Sequence, residues 1–323
     1  MKIVFTDIKT LGYEVNLSGL EELGNLRIYE QIPDEDIGKV LCRENPDVSV
    51  IVTNASRLSR DNLKDLTELK LICQTGTGYD NIDVDYCREQ GIGVTNVPGY
   101  AGNSVAQFTF AMFFYLQFHC RYYDDFIKTG QYSSEVPENY SEHEFYELDG
   151  KTWGIIGLGD IGRRVAKYAE SFGCNVIWYS VTGNTGKSTP YHQVALDELL
   201  ATSDILSIHA TISPLTYDLI TMNELKKMKS TAILLNLGRG GIVNEADLAK
   251  ALDQGIISSA GLDVLEKEPI EASNPLLRLK DPNRVFITPH IAYGSVEARE
   301  RVMESVCRSI RSFNEGTRYN RVD

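Results

Sequence analysis

The chain has 323 residues, of which 42% are hydrophobic, and its formal net charge at pH 7 is -13. A chain of this length exceeds the size that one hydrophobic core usually supports, so two domains are expected. The negative charge argues against nucleic acids and anionic membranes as partners. No apolar run reaches the ~18 residues that a membrane-spanning helix needs.

The N-terminus and the cysteines bear on the cellular compartment. Residues 1–7 become charged before an apolar stretch of signal-peptide length develops, which favours a cytoplasmic protein. The six cysteines are scattered, without a C-x-x-C pair or a histidine at ligand spacing. We therefore expect buried free thiols in a reducing compartment rather than disulfides or a structural metal site.

Short β-rich runs alternate with helical or turn segments in the N-terminal part of the chain. The runs are residues 2–7, 26–31, 48–54, 69–74 and 92–97. This alternation predicts an α/β unit with a parallel sheet. A glycine-bearing loop follows the fourth run and leads into a helix that begins near Asp83. The loop is either an ordinary turn or a place where Thr77 and Gly78 present bare backbone N–H groups to an anion.

The middle of the chain contains a hinge and a long apolar segment. Proline and glycine in residues 96–100 predict the hinge. Residues 103–123 then favour one long helix, with Asn103 or Ser104 as its N-cap. The helix is apolar on nearly all sides, so it either runs through the middle of the molecule or packs against a second copy. Residues 132–148 are aromatic and acidic, which is typical of an irregular arm over a partner.

The C-terminal part shows a clearer alternation of strands and helices. Its β-rich runs are residues 152–156, 175–180, 204–209, 232–237, 258–264 and 285–288. We expect these six runs to form one parallel sheet of the dinucleotide-binding type. Between them, one helix is capped by Asn244 and stopped by Gly255. Residues 295–314 have helical periodicity and are expected to return to the first domain.

Residues 151–164 combine a short apolar run, a tight turn and the start of a helix. Gly157, Gly159 and Gly162 have the G-x-G-x-x-G spacing. The first glycine allows the turn, the second lets a pyrophosphate approach the backbone, and the third lets the helix pack closely on the strand. Unpaired N–H groups at the helix start then face the phosphates. The spacing alone is weak, but the strand before it and the helix after it supply the context of a dinucleotide site.

Reactive side chains follow the later strands of this predicted sheet. Arg239 lies between two glycines after the fourth run, Asp263 and Glu268 follow the fifth, and His290 follows the sixth. Open parallel sheets bind ligands at the carboxyl ends of their strands, so these side chains can meet beside the cofactor.

Each of these residues also has an ordinary structural interpretation. An arginine between glycines can cap a turn, a loop glutamate is usually solvated, and a lone histidine is more often a core or surface residue. The other histidines illustrate this: we place one on a helix, two in polar loops and one at a strand end. They are, in that order, His119, His143, His192 and His209. His290 differs from them because of its neighbours at the strand ends.

These motifs resemble the D-isomer-specific 2-hydroxyacid dehydrogenases, and the resemblance covers nearly the whole chain. It rests on residues 77–83, 96–98, 157–162, 236–240, 261–269 and 288–290. It implies two Rossmann-like domains with parallel sheets and an active site in the cleft between them. The substrate-binding domain would comprise residues 1–99 and 294–323. The dinucleotide-binding domain would comprise residues 100–293, including a dimerisation helix and arm at 103–148.

The resemblance also assigns catalytic roles. Arg239 would bind the substrate carboxylate and polarise the carbonyl oxygen, a bidentate task that suits Arg better than Lys. His290 would donate a proton to that oxygen during reduction, while the nicotinamide exchanges hydride with the adjacent carbon. Glu268 would pair with His290 and favour its charged form. The backbone of Thr77 and Gly78 would hold the other side of the carboxylate.

The cofactor contacts implied by the resemblance include the glycine loop and the ends of three later strands. They are Gly157, Gly159, Asp160, Ile161, Gly162, Ser180, Leu237 and Asp263. Asp263 matches the residue that receives the nicotinamide carboxamide. Ser180 departs from the family pattern, because many members carry there the acid that binds the ribose hydroxyls and excludes NADP. No arginine follows Ser180 and Lys187 is the nearest cation, so we expect NAD, with NADP or dual use open.

The resulting hypothesis is a cytoplasmic, homodimeric NAD(H)-dependent 2-ketoacid reductase. Residues 103–107 are most similar to the glycerate dehydrogenase and hydroxypyruvate reductase branch, so glycerate with hydroxypyruvate, or glyoxylate, is the expected substrate. The alternative is a NAD-sensing interaction protein like the corepressors that share the fold, because those proteins resemble the enzymes at the positions of Arg239, Glu268 and His290. Turnover of a 2-ketoacid distinguishes the two.

Overall fold

The computed structural model of the protein describes residues 1–134, 143–183 and 189–323. The chain divides into two compact units, one formed by Met1–Ala101 with Gly294–Asp323 and the other by Gly102–Tyr293. Within the described ranges, no helix is both long enough and apolar enough to cross a membrane.

The first unit is built on a five-stranded parallel sheet, as the sequence predicts. Its strands are β1 (Lys2–Phe5), β2 (Asn25–Ile28), β3 (Val50–Thr53), β4 (Leu71–Gln74) and β5 (Gly93–Thr95). They lie in the order β2-β1-β3-β4-β5. Every residue of β3 and β4 is buried, which explains why these strands are continuous apolar runs rather than alternating ones.

Helices connect and cover the strands of this sheet. They are α1 (Ser18–Glu21), α2 (Ile37–Glu44), α3 (Arg60–Leu63) and α4 (Val84–Gln90), together with the C-terminal helix Val296–Asn314. Asp83 is the N-cap of α4, since its side chain accepts a hydrogen bond from the backbone N–H of Tyr86. The predicted helix start near Asp83 is therefore confirmed.

The second unit contains a seven-stranded parallel sheet. Its strands are β6 (Thr152–Ile156), β7 (Asn175–Tyr179), β8 (His192–Gln193), β9 (Ile205–Ile208), β10 (Ile233–Asn236), β11 (Ser259–Leu262) and β12 (Val285–Ile287). They lie in the order β12-β11-β10-β9-β6-β7-β8. The six predicted strands are confirmed.

The prediction that His192 lies in a loop is wrong. It belongs to the edge strand β8, where it pairs with Ile177 of β7. A strand of two residues is too short to show an alternating pattern, so periodicity does not detect it. Parallel pairing with a neighbouring strand, a tertiary interaction, creates this strand.

The helices of the second unit correct two predictions. They are α5 (Gly102–Gln117), α6 (Cys120–Lys128), α7 (Gln131–Ser134), α8 (Asp160–Ser171), α9 (Leu196–Thr202), α10 (Met222–Leu225) and α11 (Glu245–Asp253). The single helix predicted over 103–123 is wrong, because His119 adopts a left-handed conformation with φ of 47° and separates α5 from α6. The start of the predicted irregular arm is helical in α7. Residues 135–142 of that arm lie outside the described residues.

Helix α5 begins one residue earlier than predicted, at Gly102, so neither Asn103 nor Ser104 is its N-cap. The Ser104 hydroxyl instead donates a hydrogen bond to the carbonyl of Ala292 at 2.6 Å. The helix buries its apolar surface within its own unit: the ring of Phe110 stacks on the indole of Trp153 with centroids 4.6 Å apart. Its nearly uniform apolarity thus reflects a central position against the sheet.

Helix α11 has the predicted ends. The Asn244 side chain accepts a hydrogen bond from the N–H of Asp247, which makes it the N-cap. Gly255 follows the helix with φ of +67°, a conformation that glycine adopts without strain.

All six cysteines are free thiols. Four of them are buried, and burial raises the pKa of Cys73 and of Cys87 to about 12. Cys120 is exposed and Cys42 is half-buried, so the expectation of buried thiols is wrong for these two. Cys42 lies on α2 and packs in part against the core of the first unit, whereas Cys120 is the first residue of α6. The spacing between cysteines does not reveal these positions.

Candidate active site

The glycine turn joins β6 to α8. Gly157 has φ of +90°, and a Cβ there would lie 3.0 Å from the backbone nitrogen of Ala210. A Cβ on Gly162 would lie 2.2 Å from the carbonyl oxygen of Gly157, so helix and turn pack too closely for any side chain. A Cβ on Gly159, by contrast, would meet no atom within 4 Å. The backbone packing thus leaves no space for a side chain at Gly157 or Gly162, but it leaves open space beside Gly159.

A cavity of about 320 Å³ lies next to this turn. It is lined by Gly157, Leu158, Gly159, Arg163, Trp178, Ser180, Val181, Thr182, Thr189, His209, Ala210, Thr211, Ser213 and Thr216. Three of the predicted cofactor residues, Gly157, Gly159 and Ser180, therefore share one wall. Asp160 instead pairs with Arg164, with 3.2 Å between carboxylate oxygen and guanidinium nitrogen. Lys187, the cation noted in the sequence, lies outside the described residues.

His209 is one of the residues that line this cavity, and it directly follows β9. Its backbone N–H donates to the carbonyl of Ile156 at 2.9 Å, as expected for a residue that ends a strand. Both ring nitrogens are inaccessible and without a hydrogen-bond partner among the residues that the structure describes. Burial lowers the pKa of His209 to about 3, so the ring is neutral at physiological pH and adds no charge to the cavity.

His290 and Glu268 form a direct pair at the ends of β12 and β11. The Nδ1 atom of His290 lies 2.8 Å from Oε2 of Glu268. The other oxygen of Glu268 accepts a hydrogen bond from the backbone N–H of Leu265 at 2.9 Å. Burial alone would raise the pKa of Glu268, but the hydrogen bond and charge of His290 outweigh it and hold the pKa below its usual value. The carboxylate is therefore ionised and fixes the orientation of the imidazole.

Asp263 holds the turn on which His290 lies. The turn is unusual because His290 has φ of 54°, in the left-handed region. The buried carboxylate of Asp263 accepts hydrogen bonds from the Thr288 hydroxyl and from the backbone N–H groups of Ile291 and Ala292, at 2.7 to 3.0 Å. Burial raises the pKa of Asp263, and these hydrogen bonds offset only part of that effect. The sequence did not reveal this supporting role.

Arg239 lies in the loop after β10 and keeps most of its donors available. The Asn236 side chain closes the loop by donating to the carbonyl of Arg239 and accepting from the N–H of Gly238. The Arg239 guanidinium donates one hydrogen bond, to the carbonyl of Gly238 at 3.0 Å. No carboxylate in the described ranges forms an ion pair with it, although its charge contributes to lowering the pKa of Glu268. It is therefore free to bind an anion bidentately.

Thr77 and Gly78 follow β4 in the first unit. The Thr77 hydroxyl donates to the carbonyl of Val97 at 3.0 Å, and the Thr77 carbonyl accepts from the Asn96 side chain at 2.8 Å. These bonds fix the loop while the backbone N–H groups of Thr77 and Gly78 donate to no atom of the residues described here. The geometry suits the anion-binding alternative of the sequence analysis.

These features define a class of protein. A parallel sheet with a glycine turn after its first strand, next to an oriented His–Glu pair and an available arginine, is the arrangement of an NAD(P)-dependent oxidoreductase that acts on a CH–OH group. The family model "D-isomer specific 2-hydroxyacid dehydrogenase, NAD binding domain" matches residues 110–292. The chain belongs to the D-isomer specific 2-hydroxyacid dehydrogenase family.

Individual relatives agree with this assignment. A hydroxypyruvate reductase of Blautia hydrogenotrophica is 33% identical and aligns over 100% of both chains. A glyoxylate reductase of Thermococcus litoralis is 37% identical over 86% of this chain and 84% of its own. A crystallised protein of Thermus thermophilus is similar in structure, with a TM-score of 0.88, 30% identity and 100% of both chains covered. The predicted family and fold class are confirmed.

Substitutions at two glycines of the turn should distinguish the role of the turn in packing from its role in cofactor binding. We expect Gly162→Ala to lower the free energy of unfolding by about 1–3 kcal/mol, because its Cβ would overlap the backbone of Gly157. Gly159→Ala should leave the unfolding free energy nearly unchanged and instead weaken NADH binding, since its methyl group would project into open space beside the cavity. Chemical denaturation and nucleotide titration of both variants measure the two effects. Equal stability of the two variants would contradict the packing argument.

Proposed function

We propose that the protein reduces a small 2-ketoacid, hydroxypyruvate or glyoxylate, to the corresponding 2-hydroxyacid. The observation that carries the proposal is the 2.8 Å contact between His290 and Glu268, beside an arginine with free donors. The names of the relatives, hydroxypyruvate reductase and glyoxylate reductase, support these substrates. The resemblance of residues 103–107 to the glycerate dehydrogenase and hydroxypyruvate reductase branch supports them as well.

In this proposal, different residues bind the substrate and transfer the proton. Arg239 binds the substrate carboxylate and polarises the carbonyl oxygen. His290, held by Glu268, gives its proton to that oxygen during reduction and takes it back during oxidation. Thr77 and Gly78 present N–H groups to the substrate carboxylate. Because the whole chain is negatively charged, these local donors must supply the attraction for an anion.

The residues of the second unit fit a nicotinamide dinucleotide. When bound, the cofactor supplies the hydride. Gly157 and Gly159 leave the backbone open beside the cavity, and α8 begins directly after them with its first N–H groups unpaired within the helix. We propose contacts from these glycines and from Asp160, Ile161, Gly162, Ser180 and Leu237, with Asp263 receiving the carboxamide.

We further propose a cytoplasmic homodimer. Exposed aromatic side chains lie on and beside α6 and α7, including Phe118, Tyr132 and Phe145. Such a group of exposed rings is typical of a surface that another protein covers. Sedimentation of the purified protein measures the oligomeric state, and a monomer at micromolar concentration would contradict the proposal.

A panel of 2-ketoacids tests the proposed substrates. We expect loss of NADH or NADPH absorbance with hydroxypyruvate and glyoxylate, with higher kcat/KM than for pyruvate or bulkier 2-ketoacids. His290→Ala serves as the low-activity control at the same protein concentration. If the protein binds the nucleotide but turns over no ketoacid, the NAD-sensing interaction protein becomes the better interpretation.

The pair of Glu268 and His290 leads to a prediction on pH. The pKa of Glu268 lies below its usual value, because the hydrogen bond and charge of His290 outweigh its burial. The carboxylate therefore stays ionised and orients the imidazole at neutral pH, so we expect kcat for ketoacid reduction by the wild type to fall as pH falls through that lowered pKa. Glu268→Gln does not titrate at this position, so its kcat profile should lack this acidic limb. The profiles of the two proteins, each measured with saturating cofactor, check this. An acidic limb of equal size in both would show that the charge of Glu268 does not orient His290.

A further inference from the structure

The cavity beside the glycine turn has a wall of hydroxyl groups and no negative charge. Ser180 and Thr182 follow β7, and Thr189, Thr211 and Ser213 lie on other parts of the wall. No aspartate or glutamate is among its lining residues in the described part of the chain. The position at the end of β7, where a carboxylate would exclude an anionic group, carries the hydroxyl of Ser180. The wall therefore offers hydrogen bonds without repelling a phosphate.

Arg163 supplies a positive charge to the same cavity. It lies on the first turns of α8 and is half-buried. Its guanidinium forms no ion pair and no hydrogen bond with the described residues, although its backbone N–H bonds to Gly159. A half-buried guanidinium with open donors at a cavity wall is suited to a planar array of anionic oxygens.

The neighbouring arginine shows a contrasting arrangement. Arg164 forms an ion pair with Asp160 at 3.2 Å and donates a hydrogen bond to the Asn103 side chain at 2.5 Å. It is not among the residues that line the cavity. Because His209 is held neutral by burial, Arg163 is the cationic side chain of this wall within the described ranges. The two adjacent arginines thus provide a test residue and a matched control.

We propose that Arg163, with the hydroxyls of Ser180 and Thr182, binds the 2′-phosphate of NADP(H), so that the protein uses NADPH as well as NADH. The inference rests on the proposed dinucleotide site and deepens it by naming the group that selects the cofactor. A phosphate monoester carries about two negative charges and strong acceptor oxygens, which a guanidinium and two hydroxyls satisfy without a nearby carboxylate. No arginine follows Ser180 in the sequence, whereas Arg163 of α8 lines the same cavity in the structure.

Nucleotide fragments without nicotinamide test this proposal independently of any ketoacid. Isothermal titration with adenosine 2′,5′-bisphosphate and with adenosine 5′-monophosphate measures what the 2′-phosphate adds to affinity. We expect the wild-type protein to bind the bisphosphate more tightly. Arg163→Gln should weaken bisphosphate binding by about 10- to 100-fold, the effect of losing a charged hydrogen-bonding partner, and leave the monophosphate nearly unchanged.

Two further variants make the result decisive. Arg164→Gln should leave the ratio of the two affinities at the wild-type value, because that side chain faces Asp160. Ser180→Asp should reverse the preference in favour of the monophosphate, since it restores a carboxylate at the wall. Thermal melting of each variant shows that it is folded.

Three outcomes would overturn the proposal. One is a wild-type protein that gains nothing from the 2′-phosphate. Another is an Arg163→Gln variant whose affinity ratio is unchanged. The third is an equal loss for both nucleotides, which would place Arg163 on the 5′-phosphate shared by NADH and NADPH. Failure of the ketoacid panel would not affect these measurements, so the two proposals fail separately.

Discussion

We expect His290→Ala to lower kcat for ketoacid reduction by about 10²- to 10⁴-fold, the usual contribution of a positioned general acid. The affinity for NADH should stay within a factor of about two, because His290 lies on the turn after β12 and is absent from the cavity beside the glycine loop. Steady-state kinetics and nucleotide titration measure the two quantities separately.

The controls for this variant come from the same turn and from another histidine. His290→Asn keeps a polar side chain beside Glu268 but does not donate a proton as an acid, so its kcat should be as low as that of His290→Ala. His192→Ala, on the edge strand β8, should retain wild-type activity. If cofactor affinity falls as much as kcat in the His290 variants, the general-acid assignment is wrong and the turn has a structural role.

The second large effect concerns Arg239. We expect Arg239→Lys to lower kcat/KM for the ketoacid by about 10²- to 10³-fold, the range found when one donor to a developing oxyanion is removed. A lysine keeps the charge but lacks the planar fork that binds a carboxylate and still reaches the carbonyl oxygen. The loop itself should persist, because the Asn236 side chain holds it through backbone atoms.

Rescue by a small molecule separates chemistry from misfolding in this case. Arg239→Ala should recover part of its activity when guanidinium ions are added, and Arg239→Lys should recover less. Arg164→Lys, with an ion pair at the surface of the same unit, provides the matched substitution at a site without a substrate contact. A Lys variant within a factor of about three of the wild type would show that a single positive charge is sufficient and that bidentate binding is not required.

Much of the fold and the reactive groups could be predicted from the sequence, because they follow from local rules. Strands such as Thr152–Ile156 are short apolar runs between turns, and the structure reproduces that strand residue for residue. Parallel strands place their carboxyl ends at one edge, so the sequence predicts that Glu268 and His290 meet, and their side chains lie 2.8 Å apart in the structure. The positions of Glu268 and His290 directly after consecutive strands of the sequence are therefore enough to predict that they lie close together.

Features made by tertiary contacts were not predictable in this way. The break at His119 requires a left-handed backbone that the apolar pattern does not show. The supporting role of Asp263 depends on three donors from the turn around His290, more than twenty positions further along the chain. Arg163 lines the cavity from α8, whereas the sequence pattern points to a phosphate-binding cation directly after the strand. In each case the feature depends on which parts of the folded chain contact each other, and the local sequence pattern does not predict these contacts.

The identity and handedness of the reaction product test the central claim most directly. The purified protein is incubated with hydroxypyruvate and NADH or NADPH, and the product is separated by chiral chromatography. We predict D-glycerate, formed in an amount equal to the reduced cofactor consumed, and formed about 10²- to 10⁴-fold more slowly with His290→Ala. L-glycerate, a racemic product, or cofactor oxidation without glycerate would contradict the assignment of this site to D-specific reduction of a 2-ketoacid.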